Sequence, residues 1–238
     1  MKKEFNKLFE ILKEFNIDDV KEIEERLDKQ YLALQNLYKN IKDPLLFLKL
    51  VLINSLLSYQ LSMKGEDYWQ RFSEFFSIKN KTEYFEEFLK KYNKRFLNSK
   101  LKRLNKLRSF FEKLSLKEFD FFVESPHLYL QTLSNFLNQK KEDKTIVFSL
   151  KMLYYAYRII KNEFKPFPKG VMIPLDNRIK KISNNKEFWK SFERSIEFSL
   201  LHIDSIIWVT KGLKKEEIKK IRNESLKNKI KKLKEILG

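Results

Sequence analysis

Lys144 and Lys151 lie seven positions apart in a stretch whose other members are mostly apolar, among them Ile146, Val147, Leu150, Leu153, Ala156 and Ile159. At about 100° per residue, seven positions make nearly two helical turns, so both amines fall on one face. Burying an unpaired ammonium is costly, which makes an amine on an otherwise apolar helix a candidate nucleophile. Attack requires the neutral amine, and both apolar surroundings and the positive end of a helix favour that form. Lys144, at the helix start, is expected to have both. The same spacing also fits an exposed first-turn Lys144 and a Lys151 that buries its stem and keeps its ammonium in water.

Asp176 ends a Pro-rich segment and precedes a predicted helix. It reads either as an ordinary N-cap or as a carboxylate held at a helix start and facing a cleft. Trp69 and Trp208 read as core residues or as platforms for an extruded base. Asp204, four positions before Trp208, shares its helical face. A carboxylate beside an aromatic plate suits recognition of the donor edge of guanine.

These residues need rigid elements to place them, and the composition points to helices. The chain has 238 residues, 42% of them hydrophobic, with only 4 Gly and 5 Pro. That supports one substantial core or two small lobes, and it leaves no Gly-rich phosphate loop. The absence of Cys excludes disulfides, thiolate catalysis and Cys-ligated metal sites. The 2 His, His127 and His202, are too few for a histidine-based metal centre; a carboxylate metal site stays open, although no DxD pattern supports one, and no cofactor is expected. No apolar run reaches the roughly 18 residues needed to span a bilayer. The segment from Met1 to Asn16 lacks the apolar centre of a secretory signal, so the expected location is the cytoplasm.

Helical spacing recurs along the chain. Phe5, Leu8, Phe9, Leu12 and Phe15 form one apolar stripe. One helix is expected from Val20 to Leu37. Asp43-Pro44 marks a helix start, and Leu45 to Leu61 reads as a buried helix. Further helices fit Glu66 to Phe76, Thr82 to Tyr92, Leu101 to Leu114, Leu116 to Val123 and His127 to Asn138. After the polar turn 139–143 comes the Lys144 to Lys161 helix. An ordered loop from Phe164 to Pro174 holds three of the 5 Pro. Helices resume from Phe188 to Leu201 and from His202 to Trp208. No internal repeat is present. The segment from Val209 carries 11 Lys/Arg against 4 Glu, with Ile218, Ile221, Ile230 and Leu233 at helical spacing. It reads as a DNA-gripping arm or as a capping helix.

A net charge of +18 opposes compactness and points to a polyanionic partner. Between Asn93 and Arg108 stand Lys94, Arg95, Lys100, Lys102, Arg103, Lys106 and Arg108, with no acid. On a helix they would form a phosphate-binding face, or simply the solvated side of a Lys-rich protein.

Four ordered stretches resemble the archaeal 8-oxoguanine DNA glycosylases (the AGOG family), a divergent branch of the helix-hairpin-helix glycosylases. The first joins residues 53–61, INSLLSYQL, to 65–69, GEDYW. The second is KTIVF at 144–148, followed by Lys151-Met152. The third joins IPLD at 173–176 to RIKK at 178–181. The fourth is LHIDSIIW at 201–208. The likeness runs from about Ile17 to Trp208. It implies an all-α fold of two helical lobes flanking a DNA-binding active-site cleft. The expected layout is a glycosylase domain over 1–208, with a non-standard hairpin at about 130–161 and the Pro-rich loop over 164–176. A basic amphipathic extension over 209–238 follows.

The resemblance further implies a bifunctional DNA glycosylase and abasic-site lyase in base excision repair, with 8-oxoguanine-containing DNA as partner and no obligate protein partner. Lys144 would attack the sugar C1′ and form a Schiff base. Asp176 would stabilise positive charge on the sugar and help deprotonate the lysine. Gln30, Trp69, Lys151, Asp204 and Trp208 would form the base pocket. 8-Oxoguanine carries a hydrogen at N7 where guanine has an acceptor, so discrimination needs an acceptor aimed there, such as a backbone carbonyl near Gln30. The turn before Lys144 lacks the Gly of the usual hairpin, and exposed N–H groups at the helix start would serve phosphate instead. Catalysis by this pair requires the Pro-rich loop to fold back so that Asp176 faces Lys144. A non-catalytic helical nucleic-acid binder and an amphipathic membrane-surface protein remain open alternatives.

Overall fold

The computed structural model describes residues 2–238, with side chains from Asn6 onward. The side chain of Phe5, counted in the first stripe, lies outside the described residues. Among the described residues there are helices and no strands, so the chain is all-α. It divides into two compact units, one made of residues 1–28 with 166–238 and the other of residues 29–165.

The first unit opens with α1 (Lys2–Lys13) and α2 (Ile17–Glu22). Asn16 starts α2 by a reciprocal cap. Its side chain accepts the Asp19 N–H at 2.9 Å, and the Asp19 carboxylate accepts the Asn16 N–H at 3.1 Å. A π-helical turn, Ile23–Leu27, follows. The single helix expected from Val20 to Leu37 is broken at Asp28, which is buried and extended at ψ 108°. Its N–H still bonds the Ile23 carbonyl at 2.9 Å, closing one wide turn. Apolar spacing continues on both sides of this break, which is why periodicity alone conceals it.

The second unit holds α3 (Lys29–Ile41), α4 (Pro44–Leu57), α5 (Gly65–Ile78), a 3-10 turn (Thr82–Tyr84), α6 (Phe85–Tyr92), α7 (Leu97–Phe111), α8 (Leu116–Glu124), α9 (Pro126–Leu137) and α10 (Lys144–Lys161). Asp43 caps α4 by accepting the Leu46 N–H at 3.0 Å, with Pro44 in the first turn. Helix α4 is largely apolar and packs along α10, while α3 packs on α5 and on α10. Phe72, Phe76, Phe85 and Phe88 form an aromatic cluster with centroids between 4.6 and 6.5 Å.

The first unit resumes with α11 (Asn177–Ile182), α12 (Lys186–Glu193), α13 (Leu200–Gly212), α14 (Lys215–Lys219) and α15 (Glu224–Leu237). The helix expected to run from Phe188 to Leu201 stops at Glu193, and Leu200 begins a new one. In the core, Leu12 of α1, Trp189 of α12 and Ile203 and Ile206 of α13 meet Leu226, Ile230 and Leu233 of α15. Those last three are fully buried, which stabilises the unit by about 1.5–3 kcal/mol each.

The sequence places a division between 208 and 209. It falls inside α13, and the segment beyond it is a wall of the first unit's core. The Pro-rich loop is anchored to the same unit. The Phe167 N–H donates to His202 Nε2 at 3.0 Å, so Nδ1 carries the proton and faces Glu24 at 2.9 Å, with both side chains buried. Gly170, at φ 79°, lets its N–H reach Glu193 at 3.1 Å.

Candidate active site

The expected site residues fall in both units. Gln30, Trp69, Lys144 and Lys151 belong to the second, and Asp176, Asp204 and Trp208 to the first.

Lys144 is the first residue of α10 and is exposed. The expected helix start is present, and the expected apolar surroundings are not. The seven-residue spacing to Lys151 places the second amine differently. Lys151 is only 1% exposed, with Nζ 5.6 Å from the centre of the Tyr155 ring. It does not reach water as a surface lysine would. Phe148, one turn after Lys144 and one before Lys151, shares their face and sets its edge against Trp69 at 6.1 Å. Phe148 is not among the residues that the sequence singles out, although its i, i+4 spacing from Lys144 is the available signal.

Trp69 is buried on α5 among Tyr68, Phe72 and Phe148. Gln30 is buried on α3. Their helices pack on one another, and α3 also packs on α10, which carries Lys151.

The turn that aims Lys144 is built without glycine. Asn138 takes the left-handed conformation at φ 53°, and the Gln139 N–H closes α9 on the Ser134 carbonyl at 2.9 Å. Asp143 Oδ2 accepts the Lys140 N–H at 3.2 Å. Arg103 of α7 braces the turn, donating to Gln139 at 2.7 Å and to Thr145 at 3.3 Å. Helix α10 then begins without a side-chain cap, so no side chain occupies its first N–H groups.

The expected basic face along 93–108 is only partly a face. Lys94, Arg95, Lys102 and Lys106 are exposed. Lys100 is buried, donating to Asn93 over the Tyr59 ring, and burial pulls its amine down to about 8, with Arg95 adding to the effect. Arg103 braces the hairpin turn, and Arg108 holds the Thr82 and Glu83 carbonyls at 3.0 and 2.9 Å. Three of these cations thus serve local structure, because the helix turns them inward.

In the first unit, Asp176 caps α11. Its Oδ1 accepts the N–H groups of Arg178 at 2.8 Å and Ile179 at 3.0 Å. Its Oδ2 accepts Arg178 Nε at 2.9 Å and also Nη2. The carboxylate is thus an N-cap and one half of a two-pronged ion pair. The guanidinium continues to Trp208, lying 3.4 Å from its ring centre. Asp176, Arg178 and Trp208 form one connected chain of contacts. Arg178 is the second candidate that the sequence does not single out, since nothing in its spacing distinguishes it from its basic neighbours. Asp204 lies one turn before Trp208 on α13 and is 8% exposed. Among the described residues no cluster of His, Asp and Glu could hold a metal ion, and no helix is long and apolar enough to cross a membrane.

This arrangement has known relatives. The model of the AGOG N-glycosylase/DNA lyase family matches residues 9–236, so the likeness extends past Trp208 through most of α15. An N-glycosylase/DNA lyase of Methanococcus maripaludis is 40% identical over 220 residues, covering 87% of each chain. One from Thermococcus kodakarensis is 39% identical over 230 residues, covering 91% of this chain and 88% of its own. The crystal structure of an 8-oxoguanine DNA glycosylase from Pyrobaculum aerophilum, complexed with 8-oxoguanosine, superposes with a TM-score of 0.79. It is 23% identical and covers 98% of this chain and 97% of its own, which establishes the shared fold. With a family match over nearly its whole length and relatives at up to 40% identity, this chain belongs to the AGOG family of N-glycosylase/DNA lyases.

Proposed function

We propose that the chain excises 8-oxoguanine from DNA and then cleaves the strand, with Lys144 as nucleophile and Asp176 as its electrostatic partner. The observation that carries this reading is the exposed amine of Lys144 at the uncapped start of α10, with Lys151 buried on the same face two turns on. The Pyrobaculum relative, an 8-oxoguanine DNA glycosylase seen in complex with 8-oxoguanosine, supports the substrate.

In this mechanism the neutral Lys144 amine attacks C1′, the N-glycosidic bond breaks, and the base leaves with the bonding electrons and picks up a proton. Transfer of an amine proton to O4′, with opening of the C1′–O4′ bond, gives a protonated Schiff base. Removal of a C2′ proton then expels the 3′ phosphate by β-elimination. The N–H groups at the start of α10 suit a backbone phosphate.

Asp176 accepts four N–H donors, which makes it a poor base and a stable anion. Its role is to stabilise positive charge on the sugar, with proton abstraction secondary. Trp208 and Asp204 offer a stacking plate and an acceptor one turn apart, and Gln30, Trp69 and Lys151 complete the base-recognition set.

The test is single-turnover base release from duplexes that carry 8-oxoguanine or guanine at the same position. Release of 8-oxoguanine at least about a hundredfold faster is expected, a floor below the ~10⁴–10⁵ that sites built to hydrogen-bond their substrate reach. Equal rates for the two bases would refute the substrate assignment.

A further inference from the structure

We infer that Arg178 is a specificity-determining residue, a latch that a base must displace from Trp208 before Asp176 acts. This rests on the reading of Asp176 and Trp208 given above. One guanidinium makes two contacts. It donates through Nε and Nη2 to Asp176 Oδ2, and its central carbon Cζ lies over the Trp208 ring, 3.4 Å from the ring centre. That separation is the stacking distance a nucleobase would take, so the guanidinium and a base cannot share this ring face.

The ion pair has a chemical consequence. A carboxylate stabilises developing positive charge on a sugar by its own negative field. A guanidinium bonded to Oδ2 cancels much of that field. The backbone N–H groups of Arg178 and Ile179 hold Oδ1 and orient the carboxylate without adding a full charge. Taking the guanidinium off Trp208 therefore leaves Asp176 still positioned but more effective.

The surroundings favour a latch that resets. Arg178 also borders a cavity of about 200 Å³, together with Leu8, Ile207, Lys181 and Lys211. The cavity is a place for the side chain once a base takes its position on Trp208. Lys181 and Lys211 make that space unfavourable for a third cation, so the guanidinium returns to Asp176 and Trp208 when the base leaves. A base that stacks well on Trp208 releases the carboxylate, and one that stacks poorly does not. Recognition is thereby coupled to chemistry, as in induced fit.

Abasic DNA decides the matter, because it brings no base to displace the arginine. Borohydride trapping on an abasic-site duplex is compared with single-turnover release of 8-oxoguanine and guanine, for the wild-type chain and for Arg178→Ala and Arg178→Lys. In Arg178→Ala, trapping on abasic DNA should rise roughly tenfold, about the equilibrium worth of one charge-assisted hydrogen bond. The preference for 8-oxoguanine over guanine should shrink. Arg178→Lys keeps the charge but loses the planar stack and the two-pronged bond, and it should fall between the other two.

A gain of rate on abasic DNA cannot come from damage to the fold. Unchanged abasic trapping in both variants, or an equal fall on every substrate, overturns the latch. If the wild-type chain fails to release 8-oxoguanine, the substrate reading falls while the abasic comparison still decides the latch.

Discussion

Asp176→Asn is the substitution whose consequences the structure specifies most fully. The asparagine keeps a side-chain oxygen in the Oδ1 position, so the N–H groups of Arg178 and Ile179 remain satisfied, and Asn caps helices about as well as Asp. The change falls on Oδ2, where an NH2 group now faces the Arg178 guanidinium. Hydrogen bonds to a charged group contribute about 1.5–3 kcal/mol. The Arg178 side chain is 28% exposed and that of Asp176 10%, so solvent screens part of this, leaving a loss of about 1–2 kcal/mol. Asp176→Ala also removes the cap, for a further loss of about 1 kcal/mol.

These losses are small beside the chemical effect. Removing one preorganised electrostatic group from an active site typically slows the reaction by about 10²–10³. Thermal unfolding should therefore rank wild type above Asn above Ala, with steps of about 2–4 °C per kcal/mol. Single-turnover base release should drop at least about a hundredfold in both variants, with DNA binding retained. Base release at the wild-type rate in Asp176→Asn would refute the role of the carboxylate. An Asn variant less stable than the Ala variant would refute the division of labour between Oδ1 and Oδ2.

Removing 209–238 should give an unfolded or insoluble protein, because it cuts α13 and strips Leu226, Ile230 and Leu233 from a core; a soluble, cooperatively folded truncation would contradict this. Trp208→Ala should stay folded and bind lesion-containing duplex roughly tenfold more weakly, within the range of base–aromatic stacking. Loss of the folded circular-dichroism signal would instead make Trp208 a core residue. Lys100→Met tests the buried amine. Between about 8 and the ordinary value of 10.5 the unfolded chain binds more protons than the folded one, so stability rises with pH through Lys100. Chemical denaturation at about pH 7.5 and about pH 10 should show a smaller gain in the Met variant than in the wild type, and equal gains would contradict the account.

The helices were largely legible from spacing, and the breaks between them were less so. Asp43-Pro44 announces α4 because proline fits a first turn and aspartate caps it. Asp28 gives no comparable notice, since the apolar stripe resumes in register beyond the π turn. The make-up of the first unit was not legible at all. It joins residues 1–28 to 166–238, and no local property records that Leu12 and Leu233 share a core. Amphipathic spacing after Val209 fits an arm as well as a wall, and only a partner's position distinguishes them.

At the site, the spacing of Lys144 and Lys151 was informative and their environments were not. The two share a face, yet one is exposed and the other buried, because α10 starts at a surface turn and then runs along α4. Arg178 escaped notice because its importance lies in the ring and the carboxylate it joins, Trp208 on α13 and Asp176 at the cap of α11. The first of these is remote in sequence, and its approach is set by packing rather than by spacing.

Lys144 as the attacking amine is tested most directly by borohydride trapping on 8-oxoguanine duplex, with the wild-type chain and Lys144→Gln side by side. A covalent protein–DNA complex should form with the wild type and be absent from the folded, DNA-binding variant. A trapped complex of equal yield in Lys144→Gln would contradict the assignment and move the nucleophile to another amine.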